Sequence, residues 1–429
     1  MTDSDALNGR DETEETSLVE RKLFWTRMDK LLAVFGALIN FGHGVETYLP
    51  GVITQQISCV TELSEWQEGT LDCILYITLA VALVVSGPLS DWFGRRELLL
   101  FSLYLSVLSA VICAIVADYY LLLLSRALIG ICIGLSFSTC LVMIAELASE
   151  KAIQHDILMI ASIMYAIGGV WSAGLGYLLL DLVGWRIFIL LTSIPLFIPP
   201  IFMLHFIFVG TAGQQMQDEQ NQDIPKGTMN VSNFVARTVK LGLFDGMTTF
   251  QGWLTILLVP TMIQMLKIKK AEPNSDCSVT VTKGPELLLL GIVTLASAFG
   301  MLFRHLIRNM LSFRKSQVIA ALLNVVAFTA MLEVGKESLV VIVLSNFVVK
   351  FLYGFSMMAH TYILADIDYF GTGNFALGSG ISSAMGTAGG VFGTAMVAFT
   401  PMSYVIITAL VISALNIPLV LSMSEVKLN

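Results

Sequence analysis

Charge is what this chain has least of. Only 13% of its 429 residues are Asp, Glu, Lys or Arg, about half the share a soluble domain carries. So few charges weigh against a water-exposed fold. Cysteine is sparse too: six stand at positions 59, 73, 113, 132, 140 and 277, without the close Cys/His spacing of a metal site. Cys59 and Cys277 fall in segments expected on the outer side, where either a disulfide or unpaired thiols would fit. No G-x-x-x-x-G-K-[ST] run is present to cradle nucleotide phosphates, and no nucleophile stands with a base. Neither ATP coupling nor an enzyme is expected, and no cofactor is implied. The formal charge of −8 says little about partners, because its acid is concentrated in loops and the first twenty residues, and nothing suggests nucleic acid. No cleaved signal is expected from "MTDSDALNGRDETEETSLVE", which is acidic and polar, without a basic start or short apolar core. It reads as a disordered tail.

What remains is hydrocarbon. Apolar residues make up 56% of the chain, and the mean hydropathy is +0.79. A bilayer crossing needs about 20 such residues in a row. Runs of that kind centre near 31–56, 70–90, 97–117, 119–144, 156–180 and 186–209, then near 234–266, 286–303, 315–333, 338–364, 375–398 and 402–422. Lipid offers no partner to loose backbone groups, so each run is expected as a helix. The fold class is an all-α polytopic membrane protein with twelve transmembrane helices. Cytoplasmic placement of both termini puts Arg21, Lys22, Arg27, Arg95, Arg96, Arg304 and Arg308 inside, as the positive-inside bias favours. Lys267, Lys269 and Lys270 run against it.

The longest polar connection divides the spans six and six, predicting two six-helix bundles over 29–209 and 234–422. A cytoplasmic tail (1–28), a linker (210–233) and a short closing tail (423–429) complete the division. The halves echo each other. Arg126 precedes Gly130 by four residues, as Lys350 precedes Gly354; "AIGGVWSAGLG" at 166–176 answers "GISSAMGTAGGVFG" at 380–393. Such rows of small residues let helices approach closely. Paired bundles around a midplane cavity are a transporter architecture.

A tight charged turn, "GPLSDWFGRRELLL", interrupts the apolar text at 87–100. Its Gly87, Asp91, Gly94, Arg95 and Arg96 resemble the G-x-L-x-D-x-x-G-R-R signature of the major facilitator superfamily. The resemblance implies a gate: Asp91 would accept hydrogen bonds from the arginines and face a helix end of the other half. The alternative is a positive-inside anchor. A narrower resemblance, to synaptic vesicle 2-related proteins and organic cation and anion transporters, rests on "GHGVETYLPGVI" (42–53), "CVTELSEWQ" (59–67), "RALIGICIG" (126–134), "YAIGGVW" (165–171) and "GWRIFILLTSIP" (184–195). It covers most of the amino-terminal half and implies Glu46, Arg126 and Glu146 as polar functional positions. Where those relatives carry proline and arginine after Glu146, this chain has Ser149 and Ile153, with Lys151 as a substitute cation. In the second half, Arg304 stands at the gate's aspartate position, and Asp366 remains acidic after span ten.

Charges inside spans are costly and usually face protein or a wet cavity. Glu46 precedes Pro50 by four residues, where a bend would widen a cavity; it is expected to bind a cation or exchange a proton, or else to pair with His43. Arg126 either tunes a carboxylate or anchors an outer end. Lys350 is expected at the cavity, and Asp245 near a bend in span seven. Tyr165, Trp171 and Trp253 either stack on solute or pack, and His360 is either a buried histidine or a proton carrier. Asp72, Asp181 and Arg186 are expected near water. These features predict secondary transport of a small organic solute, an organic ion included, by alternating access in a plasma or vesicle membrane. A proton is the expected coupling ion, and the chain is expected as a monomer. The competing expectation is a transporter-shaped protein acting in binding or trafficking without flux.

Overall fold

The computed structural model describes residues 25–116, 118–206, 230–268, 285–333, 338–371 and 375–423. Most of the acidic tail, nearly all of the linker, Cys277 and residues 424–429 lie outside the described residues. Every regular element within them is a helix: α1 (Arg27–Tyr48), α2 (Pro50–Thr61), α3 (Glu65–Phe93), α4 (Arg95–Ile115), α5 (Tyr119–Leu147), α6 (Lys151–Phe206), α7 (Val231–Ile268), α8 (Pro285–Leu306), α9 (Phe313–Glu333), α10 (Leu339–Leu364), the single turn α11 (Ile367–Phe370), α12 (Phe375–Phe399) and α13 (Met402–Ser422).

Local chemistry accounts for where the helices start and turn. Thr26 and Asp29 form a reciprocal capping box at the head of α1, as Ser64 and Gln67 do at α3; each satisfies amides that the first turn leaves open. Asp118 caps α5 by accepting from the amides of Tyr120 and Leu121. Pro50 has no amide hydrogen to donate, so the first span is written as α1 followed at once by α2. The 56-residue α6 is two helices joined at Gly184, whose φ of 74° is a conformation that side chains disfavour. That reversal falls between the expected spans five and six.

Nine described helices are long and apolar enough to cross a membrane by length and composition alone. With α6 crossing twice, and α1–α2 and α7 crossing once each, the chain forms twelve transmembrane helices in two six-helix bundles. α1 carries Glu46 and α7 carries Asp245, both buried.

The bundles repeat one packing scheme. In the first, α1 packs along α6 and α3 along α5; in the second, α7 packs along α12 and α8 along α10. The small-residue rows make this possible. Gly168 lies against the Phe41 carbonyl and Gly389 against the Gly246 carbonyl, each so close that a Cβ would collide with backbone. Between the halves, α3 packs on α12 and α6 on α8. One face of the molecule carries the Gly94 turn and Met423 and adjoins the linker; it is the linker face, and the opposite one, with the turn at Gly184, is the far face. Apolar side chains such as Phe101, Leu191, Phe202 and Leu344 point outward. The four described cysteines, at 73, 113, 132 and 140, are buried and unpaired.

Two expectations need correction. Asp72 is buried rather than facing water, because Thr54 on α2 donates a 2.6 Å hydrogen bond to it. Trp171 is 47% exposed and lies tilted against Phe41, so it is on the outside of the bundle rather than at a solute site.

Candidate functional site

A cavity of about 80 Å³ lies between the two halves, lined by Asn40, Phe137 and Tyr165 on one side and by Asp245, Trp253 and Tyr353 on the other. Of the charged side chains singled out from the sequence, only Asp245 lines it. Thr249, one turn further along α7, donates to Asp245 Oδ1 at 3.1 Å. His360 Nδ1 approaches the same oxygen to 3.4 Å, and His360 Nε2 meets Ser382 Oγ at 3.5 Å. Gly386 on α12 backs this carboxylate so tightly that any side chain there would displace it. The aromatic walls are held by neighbouring rings: Tyr165 edgewise against Tyr48 at 6.3 Å and Trp253 tilted against Tyr76 at 4.6 Å between ring centres. Ring faces beside an acid form a surface that attracts organic cations.

The buried charges of the first half form a separate set. Glu46 and Arg126 are each 1% exposed, and neither lines the cavity. Arg126 acts electrostatically on both Glu46 and Asp72, yet neither of its Nη atoms has a hydrogen-bond partner among the described residues. The outer-end anchor reading of Arg126 therefore fails: a lipid anchor would reach water. His43 shares a 2.7 Å hydrogen bond with Ser136, and its Nδ1 and both Glu46 oxygens have no hydrogen-bond partner among the described residues, so the alternative of a His43–Glu46 pair does not form. Asp72 is the member that sequence reasoning missed; its place within an apolar span was the available signal.

The second half buries two cations, Arg304 and Lys350; Lys350 is the one beside Tyr353 of the cavity wall. It donates to the Gly252 carbonyl at 2.7 Å and stands about equally far from the rings of Tyr48 (5.1 Å) and Tyr353 (5.0 Å). Tyr353 separates it from the cavity, which it does not line.

At the linker face, the charged turn is organised around Arg95. Its Nε and Nη2 donate to the two Glu146 oxygens at 2.6 Å each, a two-pronged geometry that suits guanidinium and carboxylate. Its Nη1 donates to Ser90 and Asp91. Asp91 is 59% exposed and bonds within its own half, which corrects the expectation that it faces a helix of the other. The cross-half contact in this turn belongs to Gly87, against the Ala376 backbone. Gly94, with φ of 91°, supplies the reversal, and Arg96 donates to the Leu204 carbonyl at 2.9 Å.

Just beyond the turn, the halves join. Lys151 meets Asp366 at 3.4 Å, Gln154 donates to the Ala365 carbonyl at 2.9 Å, and Asp156 receives both His305 and Arg308. Ser149, which stands where the resembled family has proline, donates through its amide and hydroxyl to Asp29. Burial works against ionisation of Asp29, but these bonds and those from Thr26 hold its carboxyl below the usual range. On the far face, Trp66 stacks on Phe399 with centres 4.9 Å apart. The halves thus touch on both sides of the cavity. Solute sites usually need about 300 Å³ or more, so this conformation is a constricted one.

Comparison with known proteins agrees with this geometry. The pattern of the Major Facilitator Superfamily matches residues 36–394. The synaptic vesicle 2-related protein of Rattus norvegicus is 26% identical over 189 residues, 43% of this chain and 34% of that protein. The glucose transporter GlcP of Staphylococcus epidermidis is 25% identical over 205 residues, 47% of this chain and 44% of that one. The matched segment therefore spans less than half of either relative. Among solved structures, the xylose transporter XylE from E. coli, in a partially occluded inward-open conformation, superposes with a TM-score of 0.72 at 15% identity, covering 94% of this chain and 99% of that one. Another structure of XylE describes it as a proton:xylose symporter.

Proposed function

This chain belongs to the Major Facilitator Superfamily, and from that premise we propose that it carries a small organic cation across a membrane by alternating access. The observation that carries the reading is Asp245, the single charged side chain among the described residues lining a cavity between two halves that touch on both faces. The halves would part at one face at a time: at the linker face by release of Lys151, Gln154 and Asp156 from the second half, at the far face by separation of Trp66 from Phe399. Ring faces of Tyr165, Trp253 and Tyr353 would hold the body of the solute, and Asp245 its charge. We read the linker face as cytosolic.

The proton belongs elsewhere. Glu46, Arg126 and Asp72 hold two acids and one cation away from the cavity, so a proton exchanged there need not compete with solute for the same oxygen. Pro50, at the α1–α2 junction, is the point where a change at Glu46 would alter the path of the first span.

Purified protein in liposomes tests the reading with tetraethylammonium, xylose and benzoate as a cation, a neutral sugar and an anion. Saturable uptake of the cation, inhibited by other amines and driven by a pH gradient, is the expected result. Uptake of xylose alone would reject the cation. Binding without flux under every gradient would reject transport in favour of a binding or trafficking role.

A further inference from the structure

A second cavity, of about 340 Å³, opens at the linker face of the second half, lined by Arg237, Lys240, Arg314, Tyr369, Ser422 and Met423 among others. It lies apart from the solute cavity, and three cations from two helices converge on it. Each is spent on a carbonyl rather than an acid. Arg237 Nη1 donates to the Tyr369 carbonyl at 3.0 Å, Lys240 to that of Ser422 at 2.8 Å, and Arg314 to that of Met423 through Nε and Nη2. Tyr369 also lies beneath the Arg237 guanidinium, 5.4 Å from ring centre to Cζ. Among the described residues no carboxylate pairs with any of the three. The turn α11 and the end of α13 therefore hold three half-buried positive charges open to a shared space.

We propose that this cavity binds a phosphate group with two negative charges, a phosphomonoester, presented by a lipid headgroup or by a soluble molecule. The donors left over fit that chemistry. Arg237 keeps Nε and Nη2, Arg314 keeps Nη1, and Lys240 has hydrogens beyond the one given to Ser422. Guanidinium groups match the spacing of phosphate oxygens. A lone carboxylate would leave most of the charge uncompensated. The cavity sits where α7, α9 and α13 reach their ends, the level at which basic pockets between membrane helices meet headgroups. This inference is independent of the transport reading.

Thermal unfolding of the full-length protein in nanodiscs tests it. One arm uses phosphatidylcholine with inorganic phosphate, a second uses phosphatidylcholine with chloride at matched ionic strength, and a third uses equal parts phosphatidylcholine and phosphatidic acid. A ligand of the folded state raises the midpoint with concentration. The midpoint is expected to rise with phosphate, with phosphatidic acid or with both, relative to chloride. A rise in the first arm alone assigns a soluble phosphate, and one in the third alone assigns the headgroup. Lys240→Gln should weaken binding about tenfold or more, the loss of one charge-assisted bond, and Arg237→Gln serves if that variant folds poorly. Lys315→Gln, on the exposed face beside Arg314, should bind as the parent does. No rise over chloride, an equal rise in Lys240→Gln and Arg237→Gln, or a rise seen only after Glu425→Gln in the closing tail would each overturn the proposal. The last result would give the cavity to the chain's own acid.

Discussion

Lys151 Nζ and Asp366 Oδ1 lie 3.4 Å apart across the boundary between the halves. One stands at the head of α6, the other just after α10, at the two places where the halves carry corresponding connections. Beside them, Gln154 donates to the carbonyl of Ala365. A cation that replaces the family's arginine in one half thus meets the acid that persists in the other. In the proposed transport cycle the pair is a seam between bodies that part, and its strength suits that use: Lys151 is 64% exposed, where an ion pair contributes little.

Reversing one charge should therefore open the seam slightly rather than unfold the protein. Lys151→Glu is expected to raise the linker-open population by at most about fivefold, the range an exposed pair allows. Thiol labelling of Ser162→Cys, which lines the cavity between the halves, reads this opening. The double variant Lys151→Glu/Asp366→Lys should return labelling to the parent level. Labelling unaffected by any of the changes would remove the pair from the gate.

Within the charged turn, the two acids that share Arg95 should differ. Glu146 receives two short bonds and is about one-quarter exposed, whereas Asp91 receives one and is more than half exposed. Glu146→Gln is expected to cost about 1.5–3 kcal/mol of stability and Asp91→Asn less than about 1 kcal/mol. Thermal unfolding of both variants in the same detergent decides it; the reverse order would mean that Asp91 has a partner in another conformation.

How far these relations were legible depends on their range along the chain. Span lengths, the break near Gly184 and the repeated small-residue rows depend on neighbours, so apolar runs and glycines expose them. Asp245 and His360 stood out singly as polar groups in lipid, but their meeting joins α7 to α10 and has no local mark. Thr54 and Asp72 lie on α2 and α3, and nothing in either helix announces the other. Trp171 misled because an aromatic beside small residues reads alike whether it faces solute or lipid. The helix rotation that separates those outcomes is set by packing against α1, through Gly168.

Acid should loosen the head of α1 in a particular way. Asp29 has a lowered pKa because Thr26 and Ser149 donate to its charged form, overcoming the effect of burial. Its contribution is therefore fully present above the ordinary carboxylate range and lost as pH falls through the lowered folded-state value. Asp29→Asn should reduce the thermal midpoint at neutral pH, by an amount corresponding to about 0.5–2 kcal/mol for a lost cap. Parent and variant should converge as acid protonates Asp29. A constant gap between the two down to the most acidic pH at which both stay folded would show that the charge of Asp29 is immaterial.

The two buried acids, Glu46 and Asp245, should separate coupling from binding. Asp245 lines the solute cavity and Glu46 does not, so Asp245→Asn is expected to weaken cation binding about tenfold or more, as loss of a charge-assisted contact does. Glu46→Gln should leave binding and solute counterflow near parent levels while flattening the dependence of uptake on a pH gradient. Yield alone cannot distinguish a coupling role, because removing Glu46 leaves the buried Arg126 with less opposite charge around it, which itself costs stability. Glu46→Gln/Arg126→Gln addresses this: it should recover yield yet remain insensitive to the gradient. Uptake by Glu46→Gln that still follows pH as the parent does would remove Glu46 from coupling. Loss of binding in Glu46→Gln with none in Asp245→Asn would move the solute from α7 to α1.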